Sequence, residues 1–277
     1  MLSTIAALHP RLDAERQLLI LELDHGKANE IGGEQLDAFA RLCELLEDPA
    51  RGQPITCLCT TSRRVSGRGK PIFIAGANVT ERAGWDDERV KAHVIRQRKL
   101  MQRLRRLPLF NVALSSGVTL GWGTEYMLTA DYSIATRAAS FGLPETGLGI
   151  IPGARGTAEL ASLIGPAQAL RLGCIGETID ASEALRIGLV QELADDVDHG
   201  LARVEALAEQ LRRRSPLAVA SFKQALLDGL GRSEPERVEL ESLAYERCVD
   251  SGEAAIGRAA FADIRAGKTP AWGSGKR

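Results

Sequence analysis

No stretch of this chain is apolar for long enough to span a bilayer, and the N-terminus has no cationic segment ahead of an apolar core. Both absences predict a soluble, cytoplasmic protein without a membrane partner. A basic excess is missing too: 35 Lys and Arg face 36 Asp and Glu, a formal charge of −1, so the balance does not argue for nucleic acid. The five cysteines are odd in number and scattered, and Cys57 and Cys59, one residue apart, make neither a zinc knuckle nor a C-x-x-C pair. Reduced thiols and no metal are expected, with Cys57 and Cys59 on one face of a strand. No G-x-G-x-x-G follows an early strand with a distal acid, which sets a dinucleotide-dependent oxidoreductase aside.

What is present centres on residues 110–156. This segment reads as a buried strand over 111–115, a turn marked by Gly117, Gly121 and Gly123, a short helix from Trp122, and a second strand over 132–135. Two carboxylates, Glu125 and Glu145, stand in apolar, glycine-rich surroundings. Glycines at a strand-to-helix turn let a ligand approach the backbone, and a helix start leaves amides without internal partners, so a developing negative oxygen could be held there. Two glutamates meeting beside such a site would push each other's pKa values apart and could pass protons. Taken alone, the plainer reading is a first-turn acid favoured by the helix dipole and an exposed loop acid.

The 277 residues suffice for one large domain, or one with an appendage. Strands are expected over 17–23 and 55–60, and between them an amphipathic helix over 33–48, ended by Pro49. A repeated β, α, β order fits both a β-β-α superhelix and a layered βαβ sheet. The segment 71–81 turns at Gly76, where Ala77 keeps the wall small and Asn78 can cap the next stretch of chain. Residues 84–107 are charged and then helical; the run Arg96, Arg98, Lys99, Arg103, Arg105 and Arg106 reads as a solvated face or an anion-binding rim. Trp85 is expected as a packing anchor and His93 as an exposed helix residue. From about residue 200 the chain turns helical, with segments over 201–211, 215–230 and 235–250.

The central segment resembles the active-site region of the crotonase superfamily, the enoyl-CoA hydratase/isomerase family. The family pattern is a G-x-x-x-G-G-G-x-E turn, then D-x-x-x-A, F-G-x-P-E-x-x-x-G and P-G-x-G-G. This chain supplies Gly117, Gly121, Gly123 and Glu125, then Asp131 and Ala135, then Phe141, Gly142, Pro144, Glu145 and Gly149, then Pro152, Gly153 and Gly156. Phe73, Ala75, Gly76 and Ala77 match F-x-A-G-A-D, with Asn78 for the aspartate. Residues 178–190 match a structural G-L-V stretch, and Phe261, Lys268 and Pro270 lie in an ending like A-F-x-x-K-R-x-P-x-W. Trp122 for the middle glycine and Arg155 for a loop glycine depart from the pattern, and DHGKANEI at 24–31 matches R-P-x-x-x-N-A imperfectly.

The resemblance implies an α/β fold: a crotonase-like ββα superhelix core over 1–199 carrying an acyl-CoA site, and a helical region over 200–277 for trimer contacts. It implies Glu125 and Glu145 as catalytic residues, and the backbone N–H groups of Ala77 and Trp122 as the oxyanion hole. Lys27, Ala28, Ala75, Gly76, Gly121, Phe261 and Lys268 would touch substrate or CoA. Coenzyme A enters as part of the substrate, an acyl-CoA thioester, with no metal or redox cofactor, in a homotrimer or dimer of trimers. With both glutamates the implied reaction is hydration of a 2-enoyl-CoA. Another family reaction, or a non-catalytic acyl-CoA-binding subunit whose pocket Trp122 has closed, are the alternatives.

Overall fold

The structure, a computed structural model, describes residues 2–47 and 55–273; Asp48 and Pro49, where the sequence predicts the end of the first helix, lie outside the described residues. The hairpin β1 (Pro10–Asp13) and β2 (Leu18–Glu22) leads to α1 (Gly33–Glu47) and then to a repeating unit of two strands and a helix. β3 (Cys57–Thr61) and β4 (Ile72–Ile74) precede α2 (Asp87–Arg105). β5 (Phe110–Ser115) and β6 (Val118–Leu120) precede α3 (Trp122–Met127). β7 (Tyr132–Thr136) and β8 (Ser140–Gly142) precede α4 (Gly156–Ile164) and α5 (Pro166–Ile175). After β9 (Thr178–Asp180), α6 (Ala181–Ile187) and β10 (Glu192–Ala194), the chain is helical: α7 (Val197–Leu211), α8 (Pro216–Gly229), α9 (Glu234–Asp250), α10 (Glu253–Ala259) and α11 (Phe261–Arg265).

Within each unit the first strand joins one sheet and the second the other. The sheets run β1-β2-β3-β5-β7-β10 and β4-β6-β8-β9, parallel except for β1 with β2 and β8 with β9. A layered βαβ sheet would add successive strands to one sheet. The alternation therefore identifies the ββα superhelix.

The large sheet is buried on both faces, as near-continuous apolar parallel strands require. On one face Leu18, Ile20, Cys57, Cys59, Val112 and Leu114 lie under Leu201, Val204 and Ala208 of α7. Cys57 and Cys59 do share a face, both reduced. The expected boundary at 199/200 falls within α7, whose Gly200 has no room for a side chain: a Cβ would sit 2.5 Å from Leu114 Cδ1. The other face packs Leu19, Leu21, Leu58 and Ala113 with Leu36, Phe39 and Leu42 of α1 and Leu100, Met101 and Leu104 of α2.

The basic run is largely the solvated face expected, with Arg96, Arg98, Lys99 and Arg106 exposed, but four of its arginines are also tied to other elements. Those four pair with acids: Arg96 with Asp37 and Arg103 with Glu47 on α1, Arg105 with Glu159 on α4, and Arg106 with Asp228 on α8. Farther on, Lys223 of α8 reaches into the core, donating to Asp131 Oδ2 at 2.7 Å and to the Leu109 carbonyl at 3.0 Å. That buried pair ties the helical tail to the sheet.

Candidate active site

β4 and β6 are parallel neighbours, with Ile72 opposite Val118 and Ile74 opposite Thr119, so their C-terminal ends deliver Ala77 and Trp122 side by side. The approach is close: a Cβ on Gly76 would lie 3.6 Å from the Leu120 carbonyl, and one on Gly123 would lie 2.2 Å from the Ile74 carbonyl. Ala77 forms a bridge with Ile31 that uses the Gly76 carbonyl and the Asn78 amide. The Ala77 N–H between them points the other way and has no acceptor among the described residues. Trp122 opens α3, so its N–H has no partner inside the helix and none elsewhere among the described residues. Two free amides thus come from adjacent strand ends.

The bulk of Trp122 strains nothing here. Gly121 takes the left-handed turn (φ 51°, ψ −118°), and Trp122 begins an ordinary helix. Its indole is 2 % exposed and stacks on Tyr126, one turn along, at 5.4 Å and 25°, with Phe39 at 6.0 Å. The side chain is core.

One turn into α3, Glu125 is 3 % exposed, and its Oε1 accepts the N–H of Gly156 at 2.7 Å and of Ala154 at 2.8 Å. Arg155 between them is left-handed (φ 89°), which turns the amides on either side toward one anion. Its guanidinium forms an ion pair with Glu159, which also meets Arg105 at 2.9 Å. Glu125 Oε2 accepts from no described residue. Burial pushes the Glu125 carboxyl up to about 7, against the pull of the Gly156 amide, and the neighbouring charge of Glu145 pushes the same way.

Glu145 follows β8 in a short 3-10 helix (Pro144–Leu148). It is half-buried, with its pKa raised by burial, and its Oε2 is enclosed without a partner among the described residues. Its Oε1 lies 2.8 Å from where a Cβ on Gly121 would stand, so the glycine is what admits it. Glu145 therefore stands at Gly121, next to Trp122 in the chain, and near enough to Glu125 for its charge to act on that carboxyl.

The remaining expected residues divide. Ala28 is drawn alongside the site, its carbonyl accepting the Ala75 N–H at 3.1 Å, and Lys27 beside it is exposed, its side chain without a partner among the described residues. Phe261 is 62 % exposed on α11, and Lys268 pairs with Asp263 at 2.9 Å; among the described residues no hydrogen bond or ion pair holds either against the glutamates. His93 is not exposed as expected: it is half-buried edge-on to Trp85 at 5.2 Å, and burial lowers its pKa. Trp85 does pack, under the Arg89 guanidinium at 4.2 Å. Asn78 caps as expected, accepting from Thr80 N at 3.2 Å.

Three supporting residues escaped the sequence reading. Asn29, fully buried at φ 52°, donates to the Leu23 and Phe73 carbonyls and to Ser62 Oγ. Arg64 grips the 24–27 loop through Asp24 and the Gly26 and Lys27 carbonyls. Arg98 donates Nε to the Gly153 carbonyl at 3.1 Å, steadying the loop that holds Glu125. Of these, only Asn29 had a signal, the asparagine of the imperfect R-P-x-x-x-N-A match.

Among the described residues there is no cluster of His, Cys, Asp and Glu fit for a metal and no helix long and apolar enough to cross a membrane. Comparison with known proteins matches residues 65–274 to the family model Enoyl-CoA hydratase/isomerase. YngF of Bacillus subtilis, whose name places it among the enoyl-CoA hydratases/isomerases, is 34 % identical over 86 % of this chain and 88 % of its own length. The crotonyl-CoA hydratase of Syntrophomonas wolfei is 30 % identical over 92 % of this chain and 95 % of its own. The crystal structure of an enoyl-CoA hydratase from Bacillus anthracis superposes with a TM-score of 0.82 at 31 % identity, covering 92 % of this chain and 95 % of that one. With the site's geometry and these matches together, the chain belongs to the enoyl-CoA hydratase/isomerase family.

Proposed function

We propose that this protein is a hydratase that adds water across the C2=C3 bond of a 2-enoyl-CoA thioester. The observation that carries the reading is a pair of carboxylates with raised pKa values, Glu145 at Gly121 and close enough to act on Glu125, together with two amides from adjacent strand ends that have no acceptor among the described residues. In this reading the thioester oxygen takes the N–H groups of Ala77 and Trp122, which stabilise the enolate-like charge as it forms. Glu125, fixed through Oε1 and open at Oε2, removes a proton from water as its oxygen bonds to C3. The π electrons move toward C2 and the thioester, and Glu145 delivers a proton to C2. Water has then been added, and proton exchange with solvent resets the pair.

Retention of Glu125 beside Glu145 favours hydration over isomerisation, which family members can perform with the second glutamate alone. The reading in which Trp122 plugs the pocket loses its support, because the indole is taken up by Phe39 and Tyr126. Lys27, Ala28, Ala75 and Gly76 form the edge along which CoA would lie. Assembly as a trimer or dimer of trimers, with residues 200–277 as the contact region that would bring Phe261 and Lys268 to a CoA, belongs to the same proposal; the exposed Phe222 and Tyr245 of that region support it.

The test is loss of the conjugated enoyl-thioester absorbance of crotonyl-CoA with the purified protein. Rapid loss with formation of 3-hydroxybutyryl-CoA is expected. Binding of the thioester without turnover would overturn hydration.

A further inference from the structure

If the thioester oxygen lies at the Ala77 and Trp122 amides and C2 and C3 lie at the glutamates, the acyl chain beyond C3 must run under α2. That helix lies on the loop that holds Glu125: Val94 Cγ1 is 2.8 Å from where a Cβ on Gly153 would stand, and Arg98 bonds the Gly153 carbonyl. The segment joining Ala77 to α2 contains the 3-10 helix Thr80–Arg82, and the charge of Arg82 reaches His93 on α2.

A pocket for a hydrocarbon chain would be lined by groups that need no partner. Here α2 and the segment before it carry side-chain donors that have none among the described residues. Arg82 is half-buried, its Nε is enclosed without an acceptor, and it has no ion pair among the described residues. The adjacent acid, Glu81, turns away to accept from Gly33 N at 2.9 Å and Asn78 Nδ2 at 3.2 Å. Gln97, one turn beyond His93 on α2, is 3 % exposed, and its Nε2 is also enclosed and unpartnered. Buried donors in native proteins find acceptors, and a guanidinium without a counter-ion selects a carboxylate above all others.

Resting on the acyl-CoA reading above, we propose that the acyl group this enzyme takes ends in a carboxylate, which Arg82 pairs and Gln97 helps to bind. The substrate class is then the CoA thioesters of unsaturated dicarboxylic acids. Arg82 is the specificity-determining residue and takes no part in the chemistry.

Calorimetric binding of two saturated thioesters tests this without turnover. Glutaryl-CoA carries the carboxylate, and 5-methylhexanoyl-CoA replaces it with an apolar branch of the same shape. Wild-type protein should bind glutaryl-CoA about 10- to 100-fold more tightly. Arg82→Met should erase or reverse that preference while binding 5-methylhexanoyl-CoA at least as well as wild type, which also shows that the variant is folded. Arg82→Lys should keep part of the preference. Equal binding of the two by wild type, or a preference that survives Arg82→Met, overturns the proposal and leaves the acyl-CoA reading standing. Failure to bind either thioester overturns both.

Discussion

Gly156 donates its N–H to Glu125 Oε1 at 2.7 Å, and the place a Cβ on Gly156 would occupy lies 2.8 Å from the same oxygen. The amide that orients the carboxylate can approach only because the residue has no side chain. Gly156→Ala would put a methyl group there, with Pro152 Cβ 2.7 Å away on the other side, so the carboxylate has to move. A displacement of about 1 Å in a catalytic group costs on the order of 100-fold in rate. We expect kcat for crotonyl-CoA to fall by about that factor, with stability reduced by about 1–3 kcal/mol in urea unfolding. An unchanged kcat would mean that the orientation of Glu125 is immaterial.

Removing each charge separately distinguishes the two glutamates. Glu125→Gln keeps the shape but cannot take a proton from water, so hydration should drop by about 100- to 10,000-fold while isomerisation of a 3-enoyl-CoA persists. Glu145→Gln should lose both reactions, because both need a proton moved at C2. Chromatography of products from the two substrates reads this directly. Full hydratase activity in either variant contradicts the assignment.

Glu125 also leaves a signature in stability. Its folded pKa is raised from 4.5 to about 7, so between those values the folded state holds a proton that the unfolded state has released. The raised value favours folding below about pH 4.5, and the advantage is lost as pH rises through about 7. At 1.36 kcal/mol per unit the swing is about 3 kcal/mol. Glu125→Gln carries no such proton. Relative to wild type it should therefore gain about 3 kcal/mol of unfolding free energy between about pH 5 and about pH 8, measured by denaturant titration. A constant difference across that range would place the Glu125 pKa near its ordinary value.

The glutamates and the two strand-end turns were legible because glycine is a backbone requirement written into the sequence: Gly121 and Gly156 are where Glu145 and Glu125 need room. The assignment of strands to two sheets was not, because periodicity reports which face of a strand is buried and not which sheet it joins. Residue partners far along the chain were equally hidden. Nothing local to Trp122 says that its indole will meet Phe39, and nothing local to Arg96 or Arg103 names Asp37 or Glu47. Arg155 shows a further limit. Its left-handed backbone and its ion pair with Glu159 are matters of tertiary context, and nothing in the residue type announces either.

At Trp122 the side chain and the main chain have separate duties, and two substitutions separate them. The indole fills core against Phe39 and Tyr126, whereas the N–H stands free at the first position of α3. Trp122→Ala removes the indole and keeps the N–H; stability should fall by about 3–5 kcal/mol, with the oxyanion donor intact. Trp122→Pro removes both, yet proline suits the first position of a helix, where its φ is already helical and no internal hydrogen bond is lost. The two variants should therefore be similarly destabilised, while kcat in the proline variant should be about 100- to 1000-fold below that of the alanine variant. Equal kcat in two folded variants would take the Trp122 amide out of the chemistry and leave Ala77 as the sole donor to the thioester oxygen.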